Sequence, residues 1–218
     1  MTVRNVVDAE GTDTTRRILA AASEEFARRG FASARVRQIV DAAQVNVAAI
    51  NYYFGGKAGL YSATLRHLSS RRREEPPNRR GQSPQERLHR HVFAILERFI
   101  GGKRPSPLSR ILAHEAMNPT AHHEDLIEVM IRPELEVVRV IVREIVGPGV
   151  DDADVAQAAV SVMGQCFVYL FSRGPIDRLH PELTQGPDAC RRLARHITDF
   201  SLAGFARLRA PAREEAAE

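Results

Sequence analysis

The sequence predicts an all-α fold, and three observations carry the prediction. Apolar residues recur at helical spacing in segment after segment; Val36, Ile39, Val40 and Ala43, at i, i+3, i+4 and i+7, are one instance. Helix punctuation brackets these segments: Asn46 before one, Ser83-Pro84 with Glu86 before another, Gly30 and Gly101-Gly102 after two more. Finally, EEPPNRRGQSP (74–84) holds two prolines, a glycine and no apolar residue in its first ten positions, and separates a short head from a longer body. The expected organisation is a three-helix helix-turn-helix domain over 1–73, a linker over 74–83, and a helical bundle over 84–218.

Composition fits this division. The 218 residues are 44% hydrophobic and 27% charged, enough to bury a substantial core. Residues 1–80 carry a net charge of +6 and residues 81–218 a net −2, which suits a polyanion-binding head on a nearly neutral body. Two cysteines, Cys166 and Cys190, are too few for a disulfide framework and lie in apolar helical surroundings, so both are expected as buried small hydrophobes. No N-terminal apolar region reads as a signal peptide. The most apolar run, AQAAVSVMGQCFVYLF, is interrupted by Gln157, Ser161 and Gln165, so no membrane span is expected and the location is read as cytoplasmic.

Taken in order, residues 1–11 show no periodicity and are expected as a mobile arm, with Arg4 the basic residue there able to touch DNA. A first helix starts near Asp13, with Thr12 or Asp13 as cap, and ends at Gly30. Its Ile18, Leu19, Ala22 and Phe26 make one stripe, and Arg28 and Arg29 suit the negative end of its dipole. The second helix is the one just described. Gln44-Val45 interrupts the pattern, and Asn46 caps a third helix in which Ile50, Tyr53 and Phe54 point one way. Ala48 and Tyr52 face the other way, flanked by Ala49 and Asn51. Two short helices cannot bury both stripes alone, so the first helix must cover them. The face left exposed carries small residues, an amide and phenols without an acid. That suits the DNA major groove, where small side chains allow close approach and an amide reads a base edge.

A fourth helix begins near Gly56-Lys57 and runs to about Arg73, with Leu60, Thr64, His67 and Leu68 inward. Lys57 and the free amides of its first turn are placed to hold a DNA phosphate. Arg71-Arg72-Arg73, at the far end, reads as solvated surface. After the linker, a helix capped by Ser83 carries Leu88, Val92, Ile95, Leu96 and Phe99. A short helix spans about Leu108–Met117, and another runs from about His123 to Val146, bent or restarted at Pro133. The last two helices, about Asp152–Ser172 and Pro187–Leu208, are the candidate dimer surface. The first is apolar nearly all round, and the second carries Leu193, Ile197, Phe200, Gly204, Phe205 and Leu208 at helical spacing. The tail PAREEAAE is expected to fray.

Glu115 falls at the centre of an apolar face made by Leu108, Ile111 and Leu112, so it needs a donor. Arg110 or Arg132 can pair with it, a ligand's amine or hydroxyl can meet it, or a metal can. His114, His122, His123 and Glu124 cluster in sequence but match no zinc spacing, and no metal site is assigned. No nucleophile elbow, Gly-rich phosphate loop or paired-carboxylate arrangement is present, so no catalytic residue, no cofactor and no enzyme activity is expected.

RVRQIVDAAQVNVAAINYYFGGK (35–57) resembles the helix-turn-helix of TetR-type transcriptional regulators, and the preceding TRRILAAASEEFARRGFASARV resembles their first helix and its exit. The resemblance covers roughly residues 13–68. INYYFGGKAGLY, with weaker support from SRILAHEAMNPT, resembles the subgroup with a CerR-type C-terminal domain. Gln44 replaces the glycine usual in the turn and so must take φ > 0, at about 1 kcal/mol. Arg35 replaces the usual Ser or Thr before the second helix, leaving Ser33 as a substitute cap. The resemblance implies a homodimer joined through its last two helices.

The function these readings predict is a ligand-responsive regulator that binds a palindromic double-stranded DNA operator and represses transcription until an unidentified small-molecule inducer releases it. The predicted DNA contacts are Arg37, Asn46, Val47, Ala48, Ala49, Asn51, Tyr52, Tyr53 and Lys57. The predicted ligand contacts are Arg110, His114, Glu115, Met117, Met130, Gln165 and Tyr169, in a pocket among the helices beginning near Leu88, Leu108 and Asp152. The alternative is a small-molecule-binding or interaction protein whose head has lost specific DNA binding, a reading supported by the departures at Arg35 and Gln44.

Overall fold

The computed structural model describes residues 3–70 and 81–209, with side chains from residue 13 onward. Among the described residues every regular element is helical. In chain order they are α1 (Val3–Ser33), α2 (Val36–Ala43), α3 (Val47–Phe54), α4 (Lys57–Ser70), α5 (Pro84–Ile100), α6 (Pro107–Met117), α7 (His123–Leu126), a π turn (Ile127–Ile131), α8 (Arg132–Val146), α9 (Asp152–Phe171), α10 (Arg173–Leu179), α11 (Pro181–Thr184) and α12 (Ala189–Arg209). Arg71–Arg73, most of the expected linker and the expected fraying tail lie outside the described residues, as does the side chain of Arg4.

The chain forms two compact units. One contains α1–α4 together with Pro107–Ile131, that is α6, α7 and the π turn; the other contains α5 and α8–α12. The units therefore do not follow the single cut at 74–83 read from the sequence. A segment from the expected body belongs to the head.

In the first unit, Ile18, Ala22 and Phe26 of α1, Ile39, Val40 and Ala43 of α2, Ile50 of α3, and Leu60, Tyr61 and Leu65 of α4 are buried together. α6 adds Leu108, Ile111 and Leu112 to the core of the same unit. The helical backbone of α1 begins at Val3, not near Asp13, so residues 3–11 continue the helix instead of standing apart from it. Gly30, with φ 69°, breaks α1 where the sequence placed its end. The π turn precedes Pro133, whose missing N–H leaves a carbonyl four residues back without its helical donor. That carbonyl is Val129 O, and the Ser69 hydroxyl donates to it at 3.0 Å. The bend expected at Pro133 is thus a short α-helix, a π turn and a restart.

In the second unit, α5 opens with a capping box: Ser83 Oγ accepts from Glu86 N at 3.2 Å, and Glu86 returns to Ser83 N at 2.8 Å. Leu88, Val92, Ile95, Leu96 and Phe99 of α5 pack with Val138, Ile141 and Val142 of α8, Val155, Val162 and Cys166 of α9, and Leu193 and Ile197 of α12. Glu134 at the start of α8 is buried against His91 Nε2 (2.7 Å) and Arg98 Nη2 (3.3 Å). Cys166 and Cys190 are buried free thiols; burial raises both pKa values to about 12, with a hydrogen bond to Glu97 adding to the effect at Cys190. The short helices α10 and α11 were not anticipated.

α12 corrects the stripe read from the sequence. Leu193, Ile197 and Phe205 face the unit's own core, whereas Phe200 is 66% exposed and Gly204 has no heavy atom within 4 Å of where a Cβ would stand. α9 likewise buries Val155, Ala159, Val162, Met163, Cys166 and Leu170 but exposes Val160, Val168 and Phe171, with open space at Gly164. By length and composition α9 is long and apolar enough to cross a membrane, with about a third of its apolar window buried.

Candidate nucleic-acid interface

The turn between α2 and α3 is built from both ends. Gln44 takes φ 54° and ψ 50°, the left-handed conformation its position requires. Val45 N bonds back to Val40 O at 3.0 Å, satisfying a carbonyl in the last turn of α2. Arg17 reaches across from α1 to donate to Ala43 O at 3.1 Å, placing a cation on the negative end of α2. Asn46 then caps α3, its Oδ1 accepting from Ala49 N at 2.9 Å.

The start of α2 differs from expectation. Ser33 does not cap it, and Arg35, the N-cap residue, makes no side-chain cap bond. Instead, Glu25 of α1 accepts from Arg35 N at 3.1 Å. Glu25 is buried and also receives Arg28 and Arg29 Nε, the latter at 3.1 Å. Burial pushes its carboxyl pKa up, but the hydrogen bonds from Arg28 and Arg35 N and the charges of Arg28 and Arg29 outweigh that and hold it below the ordinary value. Arg28 and Arg29 thus act on a buried carboxylate more than on a helix dipole. Sequence reasoning missed Glu25, although its position three residues after Ala22, inside the apolar stripe, was the signal.

Only Ile50 of α3 is fully buried. Tyr52 is 83% exposed, and Val47, Ala48 and Asn51 are exposed beside it, with Ala49 half-buried. Tyr53 is exposed too, against its expected inward direction, and its ring meets Tyr52 edge-on at 4.9 Å. Arg37 is exposed in the first turn of α2. Lys57 stands at the start of α4 as expected, but its ammonium turns onto its own chain. Nζ donates to Ala32 O at 3.1 Å and lies 4.9 Å from the centre of the Phe31 ring. Burial lowers the Lys57 pKa, with the Glu25 charge opposing the shift. α3 and α4 are held close by Gly59, where an added Cβ would fall 1.8 Å from Phe54 O. Sequence reasoning missed Gly59 as well.

The expected ligand residues divide between the units. Arg110, His114, Glu115, Met117 and Met130 belong to the first, Gln165 and Tyr169 to the second. Glu115 is 1% exposed, and its oxygens are taken by Tyr61 OH (3.1 Å), Thr120 N (3.0 Å) and Thr120 Oγ1 (2.9 Å), with His123 Nδ1 at 4.0 Å. Arg110, an expected partner of Glu115, pairs with Glu24 at 3.4 Å instead. His114 packs where a Cβ on Gly30 would stand, 3.3 Å away. Met130 is buried in the π turn, whereas Met117 is 75% exposed. In the second unit Gln165 Nε2 donates to Ser201 Oγ at 3.1 Å, and burial raises the pKa of half-buried Tyr169. An open groove of about 700 Å³ runs between α5 and α12, past His89, Phe93, Arg195 and Leu202, and none of the seven residues lines it. Among the described residues no group of three or more His, Cys, Asp or Glu is placed to hold a metal.

Comparison with known proteins agrees with this arrangement. Residues 18–64 match the bacterial regulatory proteins of the tetR family, and residues 84–205 match the C-terminal domain of the HTH-type transcriptional dual regulator CecR. The subgroup expected from the sequence under the name CerR is this CecR group. The chain is 30% identical over 142 residues to the probable HTH-type transcriptional regulator YttP of Bacillus subtilis, a match covering 60% of this chain and 64% of that protein. It is 26% identical over 208 residues to the HTH-type transcriptional repressor NicS of Pseudomonas putida, covering 92% and 97%. The fold is shared with the transcriptional regulator FadR from Bacillus subtilis, solved in complex with stearoyl-CoA (TM-score 0.68, 17% identity, 87% of this chain and 98% of that one). It is shared too with a TetR-like regulator from Rhodococcus sp. RHA1 (TM-score 0.62, 22% identity, 88% and 96%). The chain belongs to the TetR family of bacterial transcriptional regulators, in the group with a CecR-type C-terminal domain.

Proposed function

We propose that the protein is a cytoplasmic homodimeric repressor that occupies a palindromic operator and leaves it when a small molecule binds. One observation carries the DNA-binding part: an exposed, acid-free face on a short helix whose orientation is fixed by the Gln44 turn, the Asn46 cap and the close approach at Gly59. On this reading α3 enters the major groove, Val47, Ala48, Ala49, Asn51, Tyr52 and Tyr53 face the bases and sugars, and Asn46 adds its free amide hydrogens. Arg37 and the first-turn amides of α4 hold phosphates. Lys57 adds its remaining ammonium hydrogens there while Ala32 O orients it.

The name of NicS, alignable over nearly the whole chain, supports repression over activation. Dimerisation through α9 and α12 is supported by their exposed apolar side chains, Val160, Val168, Phe171 and Phe200, beside the open glycines 164 and 204. For the ligand, Gln165 and Tyr169 remain the polar groups of the second unit assigned to contact it, while the engaged carboxylate of Glu115 favours a structural role.

Selection of bound duplexes from a random pool by the full chain, followed by sedimentation of the complex, tests this reading. The expected result is an inverted repeat bound by two chains. Binding no tighter than to random DNA would favour a small-molecule-binding protein with an inert head.

A further inference from the structure

We propose that α3 reads A·T base pairs, using thymine methyl groups and one adenine edge, so that the centre of each operator half-site is free of G·C contacts. The inference rests on the DNA-binding reading and specifies its ligand.

The side chains that distinguish G·C in the major groove are cations that bond guanine O6 and N7 and carboxylates that accept from cytosine N4. The α3 sequence VAAINYYF has neither. Its exposed face offers the methyls of Val47 and Ala48, with Ala49 at the margin, and these complement only the C5 methyl of thymine or the sugars. Two amides are present, but they are not equivalent. Asn46 has its oxygen committed to Ala49 N, so it cannot present the acceptor–donor pair that adenine N6 and N7 require. Asn51 is exposed one turn further along and keeps both groups for that bidentate contact.

Two cations of the motif, on the helices flanking α3, do not fill the gap. Lys57 is tied to Ala32 O and lies over the Phe31 ring at the start of α4. Arg37 sits in the first turn of α2, the helix that crosses the phosphate backbone in this docking mode. The Tyr52 hydroxyl both donates and accepts, so it does not choose between base pairs. What remains on α3 is a methyl-lined surface with one adenine-reading amide.

The test uses the native full chain. Bound duplexes are selected from a random pool, and each central thymine of the selected half-site is then replaced by uracil, which keeps the pairing and removes only the methyl. The expected result is an A·T centre and a loss of about fourfold in affinity per contacted methyl, the factor for burying one methylene-sized group. Val47→Ala, checked for native helix content, should blunt the uracil penalty at one thymine and leave the salt dependence unchanged. A G·C pair required at the half-site centre, or equal affinity for thymine and uracil duplexes, overturns the inference while DNA binding stands. Failure to bind any duplex above random DNA overturns the DNA-binding reading and this inference together.

Discussion

The Tyr61 hydroxyl donates a 3.1 Å hydrogen bond to the buried Glu115 carboxylate, joining α4 to α6 across 54 residues of chain. Burial first, then the charge and hydrogen bond of Glu115, push the phenol pKa well above its ordinary value, so the donor keeps its proton under all ordinary conditions. Ser62 to Asp125 and Ser69 to Val129 O repeat the connection along α4. These three polar links on one helix add to the apolar packing of α6 on α1 that places the 107–131 segment in the same unit as the DNA-binding elements.

Tyr61→Phe keeps the ring contacts with Phe26 and Phe31 but removes one of the two hydroxyl donors to Glu115 Oε1, Thr120 Oγ1 being the other. It should cost about 1–3 kcal/mol, read as a lower denaturation midpoint. An unchanged midpoint would mean that the bond contributes nothing.

Gly59→Ala places a methyl against the Phe54 carbonyl, a backbone atom that cannot rotate away. α3 must shift, at a cost of about 3 kcal/mol, and specific DNA affinity should fall with it. Gly174→Ala, which meets open space, is the control and should stay near neutral. Equal behaviour of the two variants in thermal melts would refute the close approach.

Glu25 gives the stability profile an acid limb. Its folded pKa is held below the ordinary 4.5, so its contribution is present above that value and is lost as pH falls through the lowered folded value. Glu25→Gln should therefore be less stable than the parent at neutral pH, with the gap closing below about pH 4.5 as the parent's carboxylate protonates. Chemical denaturation at a series of pH values reads this directly. A gap that stays constant would show that the carboxylate charge is immaterial.

Gly204→Arg puts a long cation where the structure has open space on the exposed face of α12. In the monomer this is harmless. Across a two-fold interface it meets its own copy, with a cost above about 3 kcal/mol. Light scattering should therefore report monomers, and operator affinity should collapse while α1–α4 stay folded. A dimeric variant with full affinity would move the interface to other helices.

The sequence by itself determined the parts of this protein that depend on neighbours a few residues apart. The stripe of α2, the Asn46 cap, the Ser83–Glu86 capping box and the break at Gly30 all follow from local spacing and backbone preference, and all are present, whereas the left-handed Gln44 runs against its own backbone preference and follows from the resemblance of the turn. Tertiary structure decided what distant residues do to one another. Periodicity showed that Glu115 lies inward but not that Tyr61 and Thr120 would meet it in place of Arg110. It grouped Phe205 with Phe200, yet one is buried in the unit's own core and the other faces solvent, because a helix stripe is wider than any one partner. Lys57 reads in the sequence as a cation placed to hold a phosphate; its further contacts with Ala32 and Phe31 arise only once Gly30 has turned the chain. The division into units was hidden for the same reason. Composition marks a linker, whereas the return of residues 107–131 to the head rests on the packing of α6 against α1 and on long-range hydrogen bonds, which no local pattern encodes.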